Sequence, residues 1–152
     1  GDNELYEAIK QAGLGRVKAA RIKQTLREVL RRRGELRLEF LSGLPLAEAK
    51  RWLTSLDGIG PKTAACVLLF ALGRPALPVD THVLRVSRRL GLIGQRTSAE
   101  RAHEQLEAAL APEMVYPFHI DMIRHGRRVC HAQRPACAAC PLRDLCPYMR
   151  FA

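Results

Sequence analysis

The chain has 152 residues, 47% of them hydrophobic and 26% charged, and a formal net charge of +10. That length fits one domain or two small lobes sharing a core, and no apolar run approaches the roughly 20 residues that span a bilayer, so no membrane partner is expected. The basic balance points to a polyanion, nucleic acid first, and 5% aromatic content offers no stacking platform for single strands, which leaves contact with a duplex backbone.

Hydrophobic periodicity predicts helices throughout and no strand, an all-α chain. Residues 4–12 form a short amphipathic segment closed by Gly13-Leu14-Gly15. Residues 17–33 form a longer helix with Ile22, Leu26, Val29 and Leu30 on one face, ending at Gly34. The run Arg31-Arg32-Arg33 reads as a solvated face, with phosphate contact as the alternative. Pro45 opens a helix that runs through Leu53. After Asp57-Gly58-Ile59-Gly60 an apolar helix covers residues 61–72 and breaks at Gly73-Arg74-Pro75. Two lobes are expected on that basis, residues 1–74 and residues 75–152. Further helices are expected from Asp80 to Leu90, from the capping-box pattern Thr97-x-x-Glu100 to Leu110, and from Val115 to Arg128. Pro117 is tolerable in the first turn of the last of these.

Beyond that helix lies the pattern Cys130-x6-Cys137-x2-Cys140-x5-Cys146, followed by Pro147. Four thiolates so close in sequence can close around one metal centre. A disulfide framework suits small secreted chains, and this chain is long, rich in Leu and Ala, and without a signal-like apolar segment. Structural zinc uses two short chelating pairs, whereas here only Cys137 and Cys140 form one. The wide outer loops favour an iron–sulfur cubane, with zinc as the alternative, and reduced thiolates suit a cytoplasmic compartment. The fifth cysteine, Cys66, stands among Ala64, Ala65, Val67 and Leu68 and reads as a buried core residue.

The segment Leu56-Asp57-Gly58-Ile59-Gly60-Pro61-Lys62-Thr63 is the second informative stretch. Two glycines around one aliphatic residue allow a tight turn with outward N–H groups. Pro61 then starts a helix whose positive end points the same way, so the product is a backbone anion site suited to phosphate. An ordinary turn between two helices, with Ile59 plugging the core, is the plainer alternative. Gly13-Leu14-Gly15-Arg16-Val17-Lys18-Ala19 is a weaker echo of the motif, read as scaffold. Lys62 falls in a first helical turn, where acidic residues are usual and the macrodipole repels an ammonium. A lysine there can serve as a nucleophile or, more simply, contact phosphate. Asp80, in Pro78-Val79-Asp80-Thr81-His82, reads as an N-cap whose carboxylate can also stabilise positive charge on a sugar. His82 reads as a packed or surface histidine.

Together, Leu56-x-Gly58-Ile59-Gly60-x-Lys62-Thr63-Ala64, Val79-Asp80-Thr81-His82 and His125-Gly126-Arg127 before the four cysteines resemble the endonuclease III family. That family consists of helix-hairpin-helix DNA glycosylases, and the resemblance runs over essentially the whole chain. It implies a glycosylase lobe plus a C-terminal [4Fe-4S] loop held by Cys130, Cys137, Cys140 and Cys146. It implies that Lys62 is the nucleophile and Asp80 its partner. Gly58, Ile59, Gly60 and Thr63 would meet the DNA backbone. Arg134, in the loop from His131 to Ala136, would sit on a phosphate. The expected protein is a cytoplasmic, nucleoid-associated prokaryotic monomer acting on damaged duplex DNA. It would excise oxidised pyrimidines and nick the strand by β-elimination. A monofunctional mismatch glycosylase and a non-catalytic iron–sulfur DNA-binding module are the alternatives, and the pairing of Lys62 with Asp80 counts against both. The family pattern also includes helices ahead of the position matched by Gly1, one of which carries the duplex wedge, so no wedge residue is named.

Overall fold

A computed structural model describes residues 2–12 and 15–150, and every element within them is helix, turn or loop. Gly13 and Leu14 lie outside the described residues, so the echo of the hairpin motif cannot be placed. The chain forms two compact units, Gly1–Gly60 and Pro61–Ala152. The division therefore falls inside the hairpin segment, whereas the sequence placed it at Gly73-Arg74-Pro75. The apolar stretch after Pro61 explains the shift, because Leu69 joins the core built by residues 77–122.

The first unit contains α1 (Asp2–Ile9), α2 (Gly15–Arg33) and α3 (Leu46–Thr54). Helix α1 packs along α2. Of the expected apolar face of α2 only Val29 is buried, joined by Ala19, while Ile22, Leu26 and Leu30 are 38–47% exposed. The arginine run at the end of α2 is engaged within the unit. Arg31 and Arg32 both bond Glu28, which holds that carboxyl down at about 2, and Arg33 lies 4.0 Å over the Phe40 ring. Phe40 in turn meets Trp52 of α3 edge-on at 5.0 Å.

The second unit opens with α4 (Pro61–Cys66), which widens into a π-helical turn over Val67–Ala71, so the expected helix of residues 61–72 is two kinds of helix in series. Cys66 is half-buried where a buried residue was expected. Next come α5 (Thr81–Arg89), α6 (Ala99–Ala108) and α7 (Val115–Arg128). Helix α6 is capped by Ser98, whose Oγ accepts from the Arg101 N–H at 3.3 Å, and not by Thr97. The Thr97 N–H is already donated to the Gly94 carbonyl in the preceding turn.

Helices α5 and α7 make the closest helix pair of this unit, around Val83, Val86, Val115 and Met122. Gly126 permits the contact: a Cβ there would lie 3.0 Å from both Cβ and Nδ1 of His82. Between α4 and α5 the chain crosses the core as an extended segment, and Ala76, Leu77, Pro78 and Val79 are all buried. Buried backbone groups without a sheet must find other partners. Here side chains supply them. Glu107 accepts from the Leu77 N–H at 2.8 Å, His103 Nδ1 meets the Leu77 carbonyl at 2.8 Å, and His119 Nδ1 meets the Pro78 carbonyl at 2.9 Å. This segment ends at Asp80.

Candidate nucleic-acid interface and metal centre

The hairpin turn closes with the Ile59 N–H donated to the Leu56 carbonyl at 3.1 Å. Gly58 adopts φ +78°, a conformation that favours glycine. Gly60 has an ordinary φ, and a Cβ on it would meet nothing within 4 Å, so its small size leaves open space for an approaching group. Ile59 is half-buried, and residues 54–60 line a surface depression. In the other unit Pro61 starts α4, and Lys62 and Thr63 are exposed on its first turn.

Asp80 is the N-cap of α5, as its position predicted. Its Oδ1 accepts from the backbone N–H groups of both His82 and Val83, each at 2.8 Å. Among the described residues Oδ2 accepts no hydrogen bond, so the cap is made by one oxygen alone. The half-buried His82 takes a bond from Arg85 at 3.0 Å through Nδ1.

No local pattern marks His119, which is only 3% exposed and packs edge-on against Phe70 at 5.6 Å. The charge of Asp80 favours its protonated form and that of Lys62 opposes it. Burial is the main influence on its imidazole and lowers its pKa below the ordinary 6.5. The folded chain therefore resists a proton that the unfolded chain takes up, so stability is full above about 6.5 and declines as pH falls through that value toward the lowered one. The melting temperature should drop on acidification from pH 7.5 to 5. His119→Asn, which keeps a donor for Pro78 without a titrating ring, should flatten that drop. An unchanged slope would place the effect elsewhere.

The chain leaves α7 into a loop of short 3-10 turns that carries Cys130, Cys137, Cys140 and Cys146. All four are half-buried and line one cavity, together with Arg89, His125, Arg143 and Tyr148. No carboxylate lines it. Thiolates alone are the soft donor set that iron–sulfur clusters take, and the flanking guanidinium groups offset the negative charge of such a centre. His125 Nε2 lies 3.8 Å from Cys140 Sγ, and burial lowers its pKa. Arg134 is the one non-glycine with positive φ among the described residues, at 47°. Backbone held in that region is strained and collects at functional positions.

Two arginines of α5 tie this loop to the helix that Asp80 caps. Arg85 donates through Nε to the Cys130 carbonyl at 3.1 Å and through Nη2 to the Gly126 carbonyl at 3.0 Å. Arg89 reaches Cys130 Sγ and the carbonyls of His131 and Ala132. Their spacing of four residues on one helix face was visible in the sequence. Their targets were not, because these are one sulfur and several backbone carbonyls more than forty residues away.

Residues 1–112 match the HhH-GPD superfamily base excision DNA repair protein family, and residues 130–146 match the iron–sulfur binding domain of endonuclease III. The chain belongs to the HhH-GPD superfamily of base excision DNA repair proteins. Within it, the cysteine loop places the chain in the endonuclease III branch, and its cofactor is a [4Fe-4S] cluster. It is 36% identical to endonuclease III of Thermotoga maritima, over 97% of this chain and 64% of that protein. It is 35% identical to endonuclease III of Sulfolobus acidocaldarius, over 96% of this chain and 63% of that protein. A solved structure of a trapped covalent endonuclease III–DNA intermediate superposes with a TM-score of 0.79 at 36% identity, covering 99% of this chain and 67% of that one. The chain thus spans somewhat less than two thirds of the length of these two curated relatives. No helix among the described residues is long and apolar enough to cross a membrane.

Proposed function

We propose that this chain acts in base excision repair as a DNA glycosylase with AP lyase activity on oxidised pyrimidines in duplex DNA. The reading rests above all on Asp80, whose Oδ1 is taken up by the cap of α5 while Oδ2 accepts no bond among the described residues, in the same unit as the exposed Lys62. The damaged nucleotide leaves the duplex stack at a cost of a few kcal/mol. The Lys62 amine attacks C1′ of its sugar, the C1′–N bond breaks, and the base departs with the bonding electrons. Asp80 stabilises the positive charge that develops on the sugar and accepts the proton that Lys62 sheds. The C1′–O4′ bond then breaks, O4′ takes a proton and a Schiff base forms at C1′; loss of a proton from the acidified C2′ together with the 3′ phosphate nicks the strand.

Gly58, Ile59, Gly60 and Thr63 contact phosphate through the backbone and first turn of the hairpin, and Arg134 holds a phosphate from the cluster loop. Cys130, Cys137, Cys140 and Cys146 hold the [4Fe-4S] cluster, whose contribution is to fix that loop. The molecule acts as a monomer in a cytoplasmic, nucleoid-associated setting. Support for covalent chemistry comes from the relative trapped on DNA. Duplexes carrying thymine glycol, G·T or A·G test the assignment. Base release with nicking on the first supports it, and release from a mismatch without nicking overturns it.

Affinity for undamaged duplex should fall steeply with salt, because the contacts address phosphate and not base edges. About five neutralised phosphates give a log–log slope of roughly −4.5, and Arg134→Ala should bring that slope about one unit nearer zero. A titration by fluorescence anisotropy between low and moderate salt reads both. A flat response would remove the phosphate assignment.

A further inference from the structure

Arg89 stands out among the arginines of α5 because its guanidinium reaches the sulfur of a cysteine in the loop. It rises from the last turn of α5, and Nη1 lies 3.2 Å from Cys130 Sγ and 2.6 Å from the His131 carbonyl. Nη2 lies 3.0 Å from the Ala132 carbonyl. Its guanidinium also covers the Tyr148 ring at 4.7 Å. One planar cation thus joins the first cysteine of the loop, the next two residues of that loop, and the turn that follows the last cysteine. Arg143, which also borders the cavity, makes no such bond: its Nε is 3.5 Å from its neighbour Asp144.

We propose that Arg89 is a positioning residue that sets the electronic character of the metal centre, through a charge-assisted N–H···S bond to Cys130, while pinning residues 131 and 132. The inference rests on the reading of the four cysteines as cluster ligands. Its physical basis is simple. A hydrogen bond to a ligating sulfur, and a nearby positive charge, favour the form of a cluster that carries more negative charge, which is the reduced one. Removing both must lower the reduction potential. A lysine could keep the charge, but its single ammonium cannot span Sγ and two carbonyls in the plane that the guanidinium fork does. The loop contacts should then be lost even where the charge survives.

The experiment compares cluster-loaded wild type with Arg89→Gln, Arg89→Lys and Arg143→Gln, each quantified for iron and for its visible charge-transfer band, and then titrated by protein-film voltammetry. Hydrogen exchange of residues 131–136 is measured on the same samples. Arg89→Gln should lower the midpoint potential by about 59 mV, which is a tenfold change in the reduced-to-oxidised ratio at a fixed poise for one electron. Arg89→Lys should shift it less, and both variants should exchange faster over 131–136. Arg143→Gln should shift it least, since only charge is removed there. Equal shifts in Arg89→Gln and Arg143→Gln would overturn the sulfur hydrogen bond, and so would an unchanged potential in Arg89→Gln. If Arg89→Gln loses its iron, Arg89→Lys carries the comparison. Loss of iron from both would leave Arg89 a purely structural clamp and end the proposal. Wild-type protein without iron would instead defeat the reading of the four cysteines, a result distinct from any of these.

Discussion

Lys62→Gln should leave no borohydride-trapped adduct on duplex containing an oxidised pyrimidine or an abasic site, and should reduce strand nicking to background. The change removes the only amine on the exposed first turn of α4 and leaves the hairpin backbone as it is, with Gly58 at its positive φ. DNA binding should therefore persist, weakened by no more than the single charge removed. The chain has five lysines, so peptide mapping of the wild-type adduct gives an unambiguous site. Asp80→Asn separates the two duties of that residue. Asn caps helices about as well as Asp, so stability should change little, whereas Asp80→Ala should cost about 1 kcal/mol. Adduct formation should slow in both, because both lose the charge on Oδ2. Full-rate trapping by Asp80→Asn would confine the residue to capping, and an adduct surviving in Lys62→Gln would move the nucleophile elsewhere.

Gly126→Val should cost the second unit a large part of its stability. A Cβ at Gly126 falls 3.0 Å from His82 Cβ, an atom fixed to the backbone of α5 and unable to swing aside, and 3.2 Å from Arg85 Nη2. For Gly126→Ala, overpacking of about 1–3 kcal/mol is partly offset by roughly 1 kcal/mol of helix propensity. Valine has a smaller propensity gain and adds two methyl groups to the same contact. A loss of roughly 3 kcal/mol corresponds to about 6–12 °C in melting temperature at this chain length. The cluster loop should loosen as well, because the Gly126 and Cys130 carbonyls share the Arg85 guanidinium. Calorimetry and the cluster absorption on heating read the two effects. A valine variant that melts with wild type would mean that α5 and α7 have slack at this crossing.

Much of this was legible in the residues because the signals were local. The Asp80 cap follows from a capping residue before a periodic stretch, and the helix expected from about Val115 to Arg128, with Pro117 in its first turn, is α7. The cysteine spacing gave the metal loop. Long-range facts were hidden. The cap of α6 moved from Thr97 to Ser98 because the preceding turn had already taken the Thr97 N–H. The apolar face of α2 is largely uncovered among the described residues, since periodicity marks a face without saying what lies on it. His103 and His119 look like any helical histidine until the buried carbonyls of Leu77 and Pro78 are in view. Arg85 and Arg89 look like ordinary surface charges until the loop folds back to them.

The extended segment before Asp80 carries a consequence for how the molecule reaches its working state. Its backbone partners lie far ahead in the chain: His103 is 26 residues from Leu77, Glu107 is 30, and His119 is 41 residues from Pro78. Loops of that length must close before the segment can leave water, and such non-local closure slows folding. During synthesis, Asp80 emerges well before the side chains that fix its position, so the segment stays hydrated and mobile until α6 and α7 have formed and docked. The buried backbone ahead of the aspartate gains its partners only when α6 and α7 are in place. Under the proposed mechanism, a nascent or partly unfolded chain would hold Lys62 beside no organised Asp80 segment, and activity would arrive only with assembly of the unit.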